Sequence, residues 1–200
     1  MAAAPVPAPS RRAELLRIAA DLFAERGYKT TTVRDIADAA GILSGSLYHH
    51  FDSKESMVDE ILSTFQAGLF AEYDAVIASE DDVRTKLERL VHISFAAIDR
   101  DRPAVAIFQN DAGALAADDR FAYLRENNER FQTMWSDLIN EGIRTGALRD
   151  DLDPVLTYRF IRDTVWVAVG WYRPGGPLGA TEVAEQYLAI LLDGLGARAS

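Results

Sequence analysis

Between Thr30 and Phe51 the chain reads TTTVRDIADAAGILSGSLYHHF, and no other stretch limits the fold so tightly. It holds two short helical patterns around a glycine. In the first, Val33 to Ala40, the apolar residues Val33, Ile36, Ala37 and Ala40 fall on one face. Thr32 just before it and Asp35 three residues later have the spacing of a capping box, in which each side chain satisfies a main-chain N–H at the helix start. Gly41 then stands where a helix end tolerates positive φ. Ser44 is placed to cap a second helix, Gly45 to Phe51, whose buried side is Leu47 and Phe51, one turn apart. Its exposed side is small or polar: Ser44, Gly45, Ser46, Tyr48, His49 and His50. This is the pattern of a helix-turn-helix whose second helix enters a major groove. A plain helical hairpin carries the same caps and the same glycine, so the pattern alone leaves that alternative open.

The rest of the chain reads as helices. Arg11 to Arg26 is an amphipathic helix stopped by Gly27, with Leu15, Ile18, Ala19, Leu22 and Phe23 on its apolar stripe. A long helix follows Ser53, from Lys54 to about Ser79. No Pro/Gly linker interrupts it, so it joins a front unit to a body. Further helices are expected over Val83–Arg100, Pro103–Gly113, Asp118–Gly146, Val155–Tyr172 and, capped by Thr181, Glu182–Leu195. Arg173 to Gly179, RPGGPLG, is a loop. Nothing alternates with period two. The expected fold is all-α with nine helices: an Ala/Pro-rich arm over 1–10, read as disordered, a helix-turn-helix unit over 11–56 and a ligand-binding and dimerisation body over 57–200.

Composition narrows the function. The chain holds 48% hydrophobic residues, enough to bury a core, and no cysteine, which excludes disulfides and thiolate metal sites. No apolar run approaches the roughly 20 residues that span a bilayer, and the first ten residues lack the basic start and apolar core of a secretory signal. A cytoplasmic protein is expected. The net charge is −10, yet residues 1–56 carry seven basic and seven acidic side chains, so the whole excess lies behind the helix-turn-helix. An acidic body repels non-specific DNA and leaves binding to local contacts. That argues against a nucleoid-type packaging protein, which needs a basic body.

Enzyme chemistry finds little support. His49 and His50 are adjacent, so on a helix they point about 100° apart, from the 3.6-residue turn, and His92 lies in another helix. Ser44, His49 and Asp52 crowd one short segment with no nucleophile elbow. The Gly175–Gly179 stretch lacks the lysine and spacing of a phosphate loop. No metal, cofactor or catalytic role is assigned.

Phe23-Ala-Glu-Arg-Gly27, Thr31-Thr-Val-Arg-Asp-Ile-Ala37, Gly41, Ser46-Leu-Tyr-His-His-Phe51 and Ser53-Lys-Glu55 together resemble the DNA-binding domain of the TetR family of transcriptional repressors, continuously over about residues 11 to 60. The resemblance implies roles residue by residue. Thr32 and Arg34 contact phosphate, with Val33 between them. Ser44, Gly45, Ser46 and Tyr48 lie at the groove with His49 beside them, and His50 and Lys54 bind phosphate. With no Arg or Asn on the recognition helix, the bidentate purine contacts are missing. Some specificity then falls to Arg34 or to DNA shape. For Tyr48 a packed core position is the alternative.

In the body, Arg159, Arg162, Trp166 and Arg173 recur on one helical face, with Leu156, Phe160, Val165 and Val169 free to pack. Arg162 and Trp166, one turn apart, can grip an anionic or planar ligand; equally, the arginines can pair with acids across a dimer interface. Phe108, Gln109, Phe131, Trp135 and Tyr158 are further cavity candidates, with plain core packing as the alternative. Phe160-Ile-Arg-Asp-Thr164 and Trp171-Tyr-Arg-Pro-Gly-Gly-Pro-Leu178 are similar to the KstR-type branch of the same family, regulators of actinobacterial sterol catabolism. That resemblance implies a CoA-thioester inducer derived from sterol rings, although Gly170 stands where the branch implies a second basic residue. A different hydrophobic inducer, such as a fatty acid or a drug, remains the alternative. The resemblance further implies a homodimer through the last two helices on a palindromic operator.

Overall fold

The computed structural model describes residues 10–194; the N-terminal arm read over 1–10 lies outside it except for Ser10, and so does Leu195. Among the described residues every regular element is helical. The order is α1 (Arg11–Arg26), α2 (Val33–Ala39), α3 (Ser44–Leu47), α4 (Lys54–Ile77), α5 (Val83–Arg100), α6 (Arg102–Leu115), α7 (Tyr123–Thr145), α8 (Pro154–Trp166) and α9 (Ala180–Leu188). The front unit is α1–α3, and the body is the part of α4 that leaves it together with α5–α9.

Helix starts follow local chemistry. Ser10 accepts from the Ala13 N–H at 3.2 Å, Asp82 from Thr85 at 2.9 Å and Asp153 from Leu156 at 2.7 Å. Thr32 and Asp35 form the reciprocal box: the Asp35 N–H reaches the Thr32 hydroxyl at 3.2 Å and the Thr32 N–H reaches the Asp35 carboxylate at 2.8 Å. Gly27 and Gly41 have φ of +88° and +66°, as the ends of α1 and the turn after α2 require.

Several boundaries differ from expectation. Ser44 is no cap: Leu43 holds that position without a side-chain bond, and α3 is a single turn ending at Leu47. Beyond it the N–H groups of His49 and His50 reach back three residues, to Ser46 and Leu47, which tightens the chain into a turn while Phe51 is held in the core. α7 does not begin at Asp118; that carboxylate caps a 3₁₀ turn, Asp119–Phe121, and the α-helix starts at Tyr123. α8 stops at Trp166 rather than Tyr172 and continues as 3₁₀ over Val167–Gly170. Val167, Val169 and Gly170 are poor helix formers, so the α-helix yields there. α9 is started by Gly179, not Thr181: Glu182 reaches back to the Gly179 N–H at 2.7 Å. It ends at Leu188 in a wider turn, Ala189–Asp193.

α9 packs on α5, α8 on α7, and α6 lies across α1. α4 is buried along its length, with Met57 and Val58 in the front unit and Leu69, Phe70 and Tyr73 in the body. Phe70 stacks on Phe131 with ring centroids 4.1 Å apart, and Tyr73 meets both Phe131 and Trp135 edge-on. The Tyr73 hydroxyl is bonded to Ser94, so this buried phenol has a partner.

Candidate DNA interface and ligand cavity

The front face is presented as its residues dictate. Leu15, Phe23, Ile36, Leu47 and Phe51 close the small core beneath it. Thr32, Arg34, Gly45, Tyr48 and His49 are exposed; Val33, Ser44, Ser46 and His50 are half-buried beside them. Tyr48 is 55% exposed, which rules out the core reading for it. Leu43, 81% exposed, stands in front of α3; the sequence reading did not single it out, though an apolar residue between a turn and a helix start was the available signal. Arg34 projects freely, with only a 3.7 Å approach to Asp38.

Lys54 is placed differently from the phosphate role. Its ammonium donates to the Tyr28 carbonyl at 2.8 Å and the Thr31 carbonyl at 3.0 Å and lies 4.2 Å from the centre of the Tyr28 ring. It fastens the loop before α2 to the start of α4. Arg11 bonds Glu14 and the Ala40 carbonyl, and Arg12 takes both oxygens of Glu60 on α4. The basic entry to α1 therefore holds the front unit together.

In the body, all seven candidate ligand residues converge on one cavity: Phe108 and Gln109 from α6, Phe131 and Trp135 from α7, and Tyr158, Arg162 and Trp166 from α8. α4 supplies Phe65, Gln66 and Leu69, none of which the sequence reading singled out for the cavity, and α5 supplies Ser94. Gln66 carried a signal: it sits in line with Leu62 and Phe70, four residues either side, a polar residue on a buried stripe. The cavity is narrow, about 40 Å³, between its aromatic walls. Phe131, Trp135 and Tyr158 are buried, whereas Gln109 and Asn128 are exposed, so the cavity reaches solvent beside them. The Trp166 and Phe65 rings meet edge to face at 6.4 Å.

Arg162 is half-exposed. Its Nε donates to Asp163 at 2.6 Å, and its guanidinium carbon lies 5.8 Å from the Tyr158 ring centre. Burial, above all, pushes the Tyr158 phenol up from its ordinary value, with the arginine opposing. The arginine thus stands at the cavity, as the ligand reading needs, and its partner is a neighbour on its own helix. Arg159 faces solvent. Leu156 and Phe160 do not pack within the chain as expected: they are 50% and 63% exposed, whereas Val165 and Val169 are buried. α8 turns one apolar face inward and a second outward.

Among the described residues no group of His, Asp and Glu is arranged to hold a metal ion, and no helix is long and apolar enough to cross a membrane.

Comparison with known proteins agrees with this architecture. A family profile described as bacterial regulatory proteins, tetR family, matches residues 15–61, and one described as tetracyclin repressor-like, C-terminal domain, matches residues 80–195. The chain is 58% identical to the HTH-type transcriptional repressor KstR2 of Rhodococcus jostii, over 92% of this chain and 91% of that protein. The solved structure of the ketosteroid transcriptional regulator KstR2 of Mycobacterium tuberculosis superposes with a TM-score of 0.91 at 54% identity, covering 94% of this chain and 96% of the other. AibR, solved in complex with isovaleryl coenzyme A and operator DNA, has the same fold at 19% identity, with a TM-score of 0.79 over 92% of this chain and 98% of its own. Helix-turn-helix, helical body and relatives point one way: the chain belongs to the TetR family of transcriptional repressors.

Proposed function

We propose that this repressor is a homodimer, paired through α8 and α9, that holds a palindromic operator in the cytoplasm and is released by a CoA thioester of a sterol-ring acid. The unit over 11–56 reads DNA and the remainder binds the inducer. The observation that carries the reading is the convergence of Arg162 and Trp166 with five further candidate residues on one aromatic cavity. An apolar acyl group suits the aromatic walls, and a guanidinium at the cavity suits phosphate oxygens. The likeness to a ketosteroid regulator supports the steroid class, and AibR, of the same fold, was solved with isovaleryl coenzyme A and operator DNA bound, which supports an acyl-CoA.

On the DNA side, Thr32 and Arg34 at the start of α2 meet phosphate, where free N–H groups and the helix dipole favour an anion. Ser44, Gly45, Ser46 and Tyr48 face the groove, with Val33, His49 and His50 alongside. Lys54 acts by fixing the loop that carries Thr32. A two-fold operator needs recognition elements about 34–36 Å apart, or a multiple. The ligand acts by favouring a state in which that spacing is lost.

The test is a gel-shift on DNA from the region upstream of the protein's own gene, titrated with fatty acyl-CoAs and steroid-ring CoA thioesters. Free acids and coenzyme A alone serve as controls. Release by a steroid-ring thioester alone is expected, and an Arg162→Ala variant should need about tenfold more of it for the same release, from the loss of a charge-assisted bond. Release by a fatty acid or a drug, with thioesters inert, would replace the inducer class and keep the repressor.

A further inference from the structure

Gln66 lies in the middle of α4, 1% exposed, and lines the cavity with Phe65 and Leu69. Its Oε1 accepts a hydrogen bond from Asn127 Nδ2 at 2.8 Å. That bond turns the amide so that Nε2 points away from Asn127, and this buried Nε2 has no hydrogen-bond partner among the described residues. A buried donor left unmade costs roughly 1–3 kcal/mol, so a resting repressor carrying one holds a group that a ligand can satisfy. We infer that Gln66 Nε2 is a specificity determinant of the cavity, donating a hydrogen bond to a neutral carbonyl oxygen on the bound ligand. This rests on the CoA-thioester reading above.

The surroundings choose among acceptors. A hydroxyl brings a donor of its own, and the two acceptors on α4 and α5 are engaged: Gln66 Oε1 by Asn127, and the Ser94 hydroxyl between Tyr73 and the Leu90 carbonyl. A carboxylate needs a cation, and Arg162, the one charged residue among the described residues that line the cavity, serves the phosphate oxygens on the reading above. Burying an uncompensated charge there is far costlier than burying an amide. A carbonyl accepts and asks for nothing in return. Two carbonyls of a CoA thioester meet the description: a ketone on the ring of the acyl group, and the thioester carbonyl itself.

Calorimetric titration with two probes, 3-cyclohexylpropanoyl-CoA and 3-(4-oxocyclohexyl)propanoyl-CoA, separates them. The proteins are the wild type, Gln66→Leu, and Asn127→Asp, whose carboxylate draws Nε2 out of the cavity and sits on a half-exposed residue that tolerates change. If Gln66 meets the ring ketone, the wild type prefers the oxo probe by about tenfold, as for a site built around one hydrogen bond, and both variants lose that preference. If it meets the thioester carbonyl, both probes weaken together in both variants. Both probes binding all three proteins with equal affinity would overturn the assignment and leave the thioester reading standing. A wild type that binds neither probe overturns both.

Discussion

Asp111 accepts a hydrogen bond from the main-chain N–H of Tyr28 at 3.3 Å, and so joins α6 to the turn that follows α1. Two and three residues earlier on the same helix, Gln109 and Phe108 line the ligand cavity. α6 therefore lines the cavity at one point and touches the front unit at the next half-turn. On the proposed function, a ligand that displaces Phe108 would move the anchor of the loop that leads to Thr32.

Asp111→Ala should leave operator and ligand binding each nearly intact while weakening the coupling between them. The factor by which saturating inducer weakens operator binding should fall about fivefold, the lower end of typical allosteric couplings. Amide hydrogen exchange should quicken at Tyr28. An unchanged factor would remove this bond from the path between the sites.

Tyr28 donates its phenol to Glu55 at 2.8 Å, in the first turn of α4. Glu55 is held below the usual carboxylate range, first by its own helix N–H and then, against some desolvation, by Tyr28 and Ser53. A depressed folded pKa contributes stability that is present above the unfolded value and is lost as pH falls through the folded one. Tyr28→Phe should cost about 1 kcal/mol at neutral pH, and the deficit should shrink in acid as Glu55 takes its proton. Thermal midpoints of both proteins from pH 7 down to pH 3 check the sign.

Gly142 sits buried in α7, where an added Cβ would come within 2.7 Å of the Leu148 side chain and 3.0 Å of Val83. Leu148 cannot withdraw easily, since its own N–H is bonded to the Gly142 carbonyl at 3.0 Å. Gly→Ala in a helix ordinarily gains about 1 kcal/mol, but overpacking costs about 1–3 kcal/mol, and here the clash wins. Gly142→Ala should lower the melting temperature by several degrees; a rise would show that the loop after α7 gives way.

Phe160, Leu156, Val167 and Trp171 leave large apolar surfaces in solvent along α8 and the turn after it. Contiguous exposed apolar surface of this kind marks an interface. Phe160→Asp should give a folded monomer in sedimentation velocity and abolish operator binding, because one recognition helix alone lacks the second half-site. A variant that remains dimeric would place the interface on another face.

Much of this was legible in the chain itself. The Thr32–Asp35 box, the glycines at 27 and 41, the caps at Ser53 and Asp82 and the proline that opens α8 are local signals, each acting within a turn of backbone, and the helices they bound lie where expected. Seven ligand candidates chosen for residue type and helical spacing lie around one cavity, because aromatic and cationic residues on inward faces of neighbouring helices have few other places to go.

What the sequence by itself determined was helix order, the front-and-back division of charge, and the residue types offered to DNA and ligand. Tertiary structure alone decided which of these were free to act. Lys54 read as a phosphate binder, yet its ammonium is drawn to carbonyls 23 and 26 residues away. Phe160 read as core, yet α7 occupies only the other side of α8. Gln66 drew no reading from the sequence; in the fold Asn127, 61 residues on, takes one end of its amide and leaves the other buried without a partner among the described residues. Caps and stripes are set by neighbours in the chain; a side chain's partner and a helix's second face are set by what the fold brings beside them.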